Sequence, residues 1–277
     1  SQVGLSEAKI GLLLTLTLLG DTVISLGITT RADRIGRRRM LILGSVLMAL
    51  AGVLFAVTGN FWLLLLTATI GVISPSGNEV GPFLSIEQAA LTQSVSDDRR
   101  TQTFAWYNLA GSFTTALGAL CGGGLAQSAQ ALGLTTLESY RLVVIGYAVM
   151  GGLLGWLFTR LSPAVEVSAS VHPSASPVQK KSFLGLHRSR KVVVKLSALF
   201  SLVAFAGGFI IQSMMAYWFH VRFGVQPALL GGIFFGANIL AGLSALAAAR
   251  VASKIGLIRT MVFTHIPSNI LLILVPL

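Results

Sequence analysis

Eight long apolar runs dominate this chain and constrain its fold more than any other feature. They lie at 10–30, 40–58, 61–91, 104–126, 142–158, 196–219, 228–249 and 261–277. A helix needs about 20 apolar residues to cross the hydrocarbon core of a membrane, whereas barrel strands are alternating segments of about ten residues. The runs therefore predict an all-α, polytopic transmembrane helical bundle with about eight visible spans.

Composition excludes most soluble classes of protein. Hydrophobic residues make up 54% of the 277 residues and charged residues only 10%, which leaves too little polar surface to cover a soluble globule. The net charge of +11 does not predict nucleic-acid binding, because the basic residues lie between apolar runs. The single cysteine, Cys121, cannot build a disulfide framework or a cysteine metal site. We expect no metal, no cofactor and no nucleic-acid partner.

Lysine and arginine mark one side of the membrane. All but Lys9, Arg141 and Arg222 of the 20 basic residues fall in alternate connections between the runs. Such residues are enriched in cytoplasmic loops. The connections 31–39, 92–103, 160–195 and 250–260 are therefore predicted to be cytoplasmic, in a multi-pass protein of the plasma or inner membrane.

One long polar interval, 162–191, divides five runs from three. It contains prolines and serines followed by basic residues, which is typical of a flexible solvated linker; attraction to anionic lipid headgroups is the alternative. The predicted organisation is an N-terminal helical half at 1–161, a cytoplasmic linker at 162–191, and the start of a C-terminal half at 192–277.

Two of the basic connections resemble each other. Residues 33–39 align with residues 253–259 at an offset of 220, and isoleucine, glycine and the final arginine coincide. Six runs lie between the two segments, which predicts a repeat unit of six spans.

At these residues the chain resembles the major facilitator superfamily, whose signature is Gly-x-x-x-Asp-Arg-x-Gly-Arg-Arg/Lys. Asp33, Arg34, Gly36, Arg37 and Arg38 fit it, while Thr29 replaces the leading glycine. The resemblance implies twelve helices in two bundles of six joined by a cytoplasmic loop. The visible runs would then be approximately helices two to nine, and we expect the chain to be a fragment that lacks helix one and helices ten to twelve.

The same signature predicts a conformational latch. Glycine suits a tight reversal, and Asp33 among arginines can join neighbouring helix ends by charge-assisted hydrogen bonds. The resemblance implies that Asp33, Arg34, Gly36 and Arg37 hold the inward-closed arrangement. Glu87 is predicted to pair with Arg37 or with Arg100, and both Glu87 and Arg100 are predicted to belong to the latch. The alternative is that the arginines only set topology.

Two carboxylates are candidates for substrate or proton binding, because acidic groups inside a membrane usually face a partner or a cavity. Asp21 lies near the middle of the first run, and Glu79 follows a proline- and glycine-rich interruption of the third. Pro75, Gly77 and Pro82 are expected to break that helix and expose backbone polar groups. For both carboxylates, a structural hydrogen bond is the alternative.

Glycines in the fourth run indicate a side of the helix that can pack closely against a neighbouring helix, and they bear on the direction of transport. Gly111, Gly118 and Gly122 have the spacing of glycines in a motif of antiporters of the superfamily, although small residues also allow close helix contact in any bundle. This pattern favours efflux. Gln212 and His265 are weaker candidates, for which interfacial anchoring and packing are the alternatives.

The leading hypothesis is a secondary transporter that moves a small solute by alternating access, coupled to protons. It would act in the lipid bilayer as a monomer. A nucleotide-driven pump is disfavoured, since the chain contains no phosphate-loop motif. The alternatives are a membrane-embedded enzyme, disfavoured because the zinc and nucleophile motifs are missing, and a non-transporting sensor on the same fold.

Overall fold

A computed structural model describes residues 6–71, 81–97, 99–162, 165–166, 190–208 and 211–274, which form helices and short turns without a β-strand. In chain order the helices are α1 (Glu7–Ile35), α2 (Arg37–Val57), α3 (Phe61–Ile70), α4 (Gly81–Ser94), α5 (Arg100–Ala131), α6 (Thr136–Phe158), α7 (Arg190–Gly208), α8 (Gln212–Phe223), α9 (Pro227–Ile255) and α10 (Leu257–Leu274). The predicted all-α class is confirmed.

Six described segments are long and apolar enough to cross a membrane. They are Ala8–Ile35, Arg37–Val57, Arg100–Ala131, Thr136–Phe158, Ser197–Phe223 and Pro227–Ile255. The third predicted run is divided between α3 and α4, and residues 72–80 between them lie outside the described part of the chain. The eighth run corresponds to α10, which contains Pro267.

The junction between α1 and α2 is a single residue. The sequence predicts a loop over 31–39, but α1 continues to Ile35 and α2 begins at Arg37. Gly36 turns the chain with φ 113°, a value that glycine adopts without steric penalty. Its amide donates to the Ala32 carbonyl at 2.9 Å, and its carbonyl accepts from the Met40 amide at 3.2 Å. Gly36 therefore takes part in the hydrogen bonding of both helices, and no loop separates them.

The other predicted loops are also shorter than expected. α9 ends at Ile255 and α10 begins at Leu257, so Gly256 is the only residue between them. Between α4 and α5, the chain is non-helical only from residue 95 to residue 99 within the described positions.

The described helices form two compact units. The first contains residues 3–86 and 147–224. Its core cluster includes Ile28 of α1, Leu41 and Met48 of α2, Ile86 of α4 and Phe158 of α6, all buried. The α2–α6 contact within this unit is built from small residues. A methyl group added to Gly52 would lie 2.8 Å from Ala148 Cβ, and one added to Gly155 would lie 2.9 Å from Ser45 Oγ. Small residues let membrane helices approach closely.

The second unit contains residues 87–146 and 225–277, and α5 packs along α9 inside it. The two backbones approach closely at Gly123, where an added methyl group would lie 2.4 Å from the Pro227 carbonyl oxygen. Gln127 supports this contact, because its side-chain carbonyl accepts from the Ala228 amide at 3.1 Å. That bond satisfies one of the amides left open at the start of α9.

These units do not coincide with the halves predicted at 1–161 and 192–277. Each unit combines helices from both predicted halves, because α5 packs on α9 in one unit and the other includes α7 and α8. The division into halves therefore stays a prediction.

Candidate functional site

Asp21 lies at the middle of α1, with fourteen residues of helix on each side. At 1.5 Å per residue, each end of the helix is about 21 Å away. The carboxylate is half-buried, and the Ser25 hydroxyl donates to its Oδ1 at 3.3 Å. Tyr147 of α6 lies within electrostatic range of the same carboxylate. The acid is therefore held among polar groups inside the first unit.

Asp21 belongs to a polar stripe that the sequence interpretation missed. Thr17, Asp21, Ser25 and Thr29 follow one another at intervals of four residues, so they lie along one side of α1. Thr17 is only 2% exposed, and Thr29 shares a hydrogen bond of 3.1 Å with Ser85 of α4. The opposite side of α1 carries exposed apolar residues, namely Leu12, Leu19, Val23 and Leu26. In a membrane, a polar side turns toward protein or water and an apolar side toward lipid.

The other predicted intramembrane site lies mostly outside the described residues. Glu79, Pro75 and Gly77 fall in 72–80, so their roles stay predictions. Pro82 is buried in the first turn of α4, a position that proline suits because no amide is needed there. A methyl group added to Gly44 of α2 would lie 3.3 Å from Pro82 Cγ and 3.0 Å from the Phe83 ring. Pro82 therefore packs α4 against α2.

The signature residues join α1 to α2. Arg37 Nε donates to Asp33 Oδ1 at 2.9 Å across the Gly36 junction. The Arg37 side chain is 4% exposed, whereas that of Asp33 is 66% exposed. A buried guanidinium needs partners, and Asp33 supplies one of them. Arg34 is exposed in the last turn of α1, where a positive charge is favourable next to the helix C-terminus.

A further residue of this cluster, Glu166, was not predicted from the sequence, which places it in a flexible linker. Its carboxylate accepts from the backbone amides of Arg37 at 2.8 Å and Arg38 at 3.2 Å. The start of the predicted linker therefore touches the signature residues, at least at residues 165–166. One sequence signal could have indicated it: Glu166 is the only acidic residue in the basic interval 162–191.

Glu87 has a different partner from the one predicted. The Tyr107 hydroxyl of α5 donates to the Glu87 carboxylate at 2.5 Å. Arg100 instead pairs with Asp97 at 2.7 Å and donates to the Thr92 carbonyl at 3.2 Å. The described contacts therefore give Glu87 and Arg100 partners other than each other. The alternative pairing of Glu87 with Arg37 stays a prediction.

The predicted packing glycines of α5 do not make its close contact with α9, and their packing role stays a prediction. An added methyl group would meet nothing within 4 Å at Gly111 or Gly118, and only Val143 Cγ1, at 3.7 Å, at Gly122. The close contact with α9 lies one residue further, at Gly123, which faces Gly231. Spacing alone could not reveal which side of α5 meets its neighbour.

The two weaker candidates, Gln212 and His265, lie on α8 and α10. Gln212 begins α8, whose far end carries a cluster of Trp218, Phe219 and Phe223 with ring centroids 5.2–6.0 Å apart. Such a cluster is typical of anchoring at the membrane interface. His265 is exposed on α10. Among the described residues, no group of three or more His, Cys, Asp or Glu side chains could hold a metal ion.

The class of protein follows from these observations. Six long apolar segments and many large apolar side chains exposed on their surfaces define a multi-pass membrane protein. The chain belongs to the Major Facilitator Superfamily, whose sequence model matches residues 1–277. The resemblance seen in the signature is thereby confirmed, and the protein is a membrane transporter in general terms.

A relative from Saccharomyces cerevisiae supports this assignment. The chain is 32% identical to "Uncharacterized membrane protein YJR124C" over 299 residues, covering 99% of this chain and 67% of the relative. No solved structure matches the chain.

Proposed function

We propose that this protein is a secondary active transporter that moves a small solute by alternating access, that proton binding at Asp21 couples the movement to a proton gradient, and that the net direction is efflux. The observation that carries the proposal is the position of Asp21, a carboxylate at the middle of a long membrane helix and within its polar stripe.

The surroundings of Asp21 suit a group that gains and loses a proton. Neutralising a carboxylate at membrane depth removes most of the free energy that its charge costs there. The Ser25 hydroxyl donates to the carboxylate at 3.3 Å, and a hydroxyl can also accept a hydrogen bond, so Asp21 has a polar neighbour in both protonation states. A change of charge there would alter how α1 contacts water and its neighbours. The efflux direction rests only on the glycine spacing in α5.

Proteoliposomes test the proposal. The purified protein is reconstituted with a pH-sensitive dye inside, a pH gradient is imposed, and a panel of small neutral and cationic organic solutes is added outside. We expect one or more solutes to change the luminal pH through the parent protein. In Asp21→Asn, this response should fall to that of empty vesicles, because an amide cannot carry the proton.

Asp97→Asn is the matched control, since it makes the same chemical change at a carboxylate that is 86% exposed and pairs with Arg100. It should keep the parent response. The proposal is wrong if Asp21→Asn still transports solute and moves protons like the parent.

A further inference from the structure

Glu87 is an acid on the membrane side of the charged connection between α4 and α5. It lies seven residues before the end of α4 at Ser94, and Tyr107 lies seven residues after the start of α5 at Arg100. At 1.5 Å per residue, both side chains belong to helical turns about 10 Å from that connection. An acid at such a depth in a membrane bundle usually faces a partner or a cavity.

The described partner of Glu87 is neutral. The Tyr107 hydroxyl donates to Glu87 Oε2 at 2.5 Å, a length typical of a hydrogen bond from a hydroxyl to a charged carboxylate. Within the described part of the second unit, no lysine or arginine is bonded to this carboxylate, and Arg100 pairs with Asp97 instead. A carboxylate has about four positions that accept hydrogen bonds, and Tyr107 occupies one of them. The carboxylate can therefore accept a further, positively charged donor.

The aromatic ring of Tyr107 provides a second surface for a cation. The side chain is half-buried, so part of it stays accessible beside the carboxylate. A cation within about 6 Å of the centroid of an aromatic ring is attracted to the face of that ring. The hydrogen bond to the carboxylate increases the electron density of the phenol, which strengthens this attraction. A carboxylate joined to a tyrosine in this way is suited to an ammonium group.

The side of α5 that carries Tyr107 has room for the rest of a ligand. Gly111 and Gly118 follow Tyr107 at intervals of four and seven residues, so the three lie along one side of the helix. A methyl group added to either glycine would meet nothing within 4 Å. The close contact with α9 lies on another side of the helix, at Gly123. An open surface of small residues therefore begins next to Tyr107.

We propose that Glu87, Tyr107 and Gly111 form a binding site for a small organic cation that has an ammonium group and an apolar body. The ammonium group lies against the carboxylate and the ring, and the apolar body lies along Gly111. Ca²⁺ suits the site less, because it needs about six to eight oxygen ligands. The inference rests on the proposed function, for which it names the class of solute. It is an alternative to the predicted role of Glu87 in the latch.

Equilibrium binding tests the site. The full chain is purified in detergent and titrated in a calorimeter with meta-hydroxyphenyltrimethylammonium and with meta-tert-butylphenol, its uncharged isostere. We expect the parent to bind the ammonium compound at least about 10-fold more tightly, because only this compound makes a charge-assisted contact with Glu87. Equal binding of the two compounds to the parent, or no binding of either, would overturn the proposal.

Substitution of Glu87 shows whether the charge is responsible. Glu87→Gln keeps the shape of the side chain, so it should weaken binding of the ammonium compound by about 10- to 150-fold and abolish the preference over the isostere. Glu87→Asp keeps the charge and should keep the preference. Glu138→Gln is the matched control in the same unit, because Glu138 accepts from the Thr135 amide at the start of α6. Parent-like binding in Glu87→Gln, or an equal loss in Glu138→Gln, would overturn the proposal.

Substitutions on α5 separate the ring from the open surface. Tyr107→Phe keeps the ring and should bind the ammonium compound about 2- to 30-fold more tightly than Tyr107→Leu. Gly111→Leu fills the open surface, so it should weaken binding of the ammonium compound at least about 5-fold and leave binding of tetramethylammonium, which has no apolar body, at the parent level. Equal binding by the two Tyr107 variants would contradict the contact with the ring.

The binding assay needs neither a proton gradient nor movement of solute. If the ammonium compound binds through Glu87 but Asp21→Asn responds like the parent in proteoliposomes, the proton assignment fails and the cation site stands. If Asp21→Asn abolishes the response and Glu87→Gln binds like the parent, the cation site fails and the proposed coupling stands.

Discussion

The junctions at Gly36 and Gly256 have the same backbone and different surroundings. Their φ values are 113° and 87°, and each glycine amide donates at 2.9 Å to an alanine carbonyl, that of Ala32 or Ala252. The carbonyls of the two glycines accept from Met40 and Thr260 at 3.2 and 3.1 Å. All three correspondences have the offset of 220 residues found in the sequence repeat.

The side chains around the second junction differ. Leu257 and Ile258 occupy the places of Arg37 and Arg38 and are 68% and 82% exposed. In the described part of the chain, no carboxylate is bonded to their amides, and a methyl group added to Gly256 would meet nothing within 4 Å. Glycine and helical hydrogen bonds therefore suffice for the turn, whereas Asp33, Glu166 and the arginines are an addition at the first junction.

Replacing the two junction glycines should have the largest effect on stability. Both Gly36→Ala and Gly256→Ala force a side chain into an unfavourable backbone conformation, which costs about 1–3 kcal/mol. Gly36→Ala should cost up to about 1 kcal/mol more, because its methyl group would lie 3.2 Å from Glu166 Oε1 and weaken the hydrogen bonds of that carboxylate to α2. Thermal unfolding of the detergent-solubilised variants, followed by tryptophan fluorescence, measures the difference. Equal losses would show that the acid contributes nothing to the first junction.

Exchange of the following residue should have a smaller effect. Arg37→Leu installs the residue found at the second junction and removes the charge-assisted bond to Asp33, with an expected loss of about 1.5–3 kcal/mol. The reverse exchange, Leu257→Arg, occurs at an exposed position and should change stability by less than about 0.5 kcal/mol. A comparable loss in both exchanges, again by thermal unfolding, would contradict the asymmetry described here.

The smallest effect is expected at Asp33. Asp33→Ser installs the residue found at 253, and it should lower stability by less than about 1 kcal/mol, because the Asp33 side chain is 66% exposed and water screens its pair with Arg37. Ser253→Asp serves as the control. A larger loss in Asp33→Ser than in Arg37→Leu would contradict the view that exposure to water weakens the contribution of Asp33.

Hydropathy was sufficient to predict the helical class. A segment that crosses a membrane must make all of its backbone hydrogen bonds within its own helix and carry apolar side chains, so it is visible in the sequence as a long apolar run. The turn at Gly36 could also be inferred, since glycine is needed there. Glu166 could not be assigned, because its partners are 128 and 129 residues away and no local pattern encodes such a contact. For the same reason, Tyr107 could not be predicted as the partner of Glu87, because it lies on another helix.

The side of a helix that packs against its neighbour could not be predicted from the sequence either. Gly122 and Gly123 are neighbours in an apolar, glycine-rich stretch, and only the position of α9 makes the second one the contact residue. Asp21 could be singled out from the sequence as an acid inside an apolar run, with a structural hydrogen bond as the alternative. The alignment of Thr17, Ser25 and Thr29 with it along α1 was not predicted, because threonine and serine are common in apolar runs. The role of Asp21 in coupling stays a proposal.

The contact of Glu166 with the start of α2 limits where the gene can be divided. A boundary at residue 161, where the predicted N-terminal half ends, would separate the start of α2 from the acid that caps it. A piece that continues past residue 166 keeps the cap, the Val165 carbonyl and the α1–α2 junction together. Any split expression, fusion or domain exchange should therefore count these first residues after α6 as part of the helical bundle.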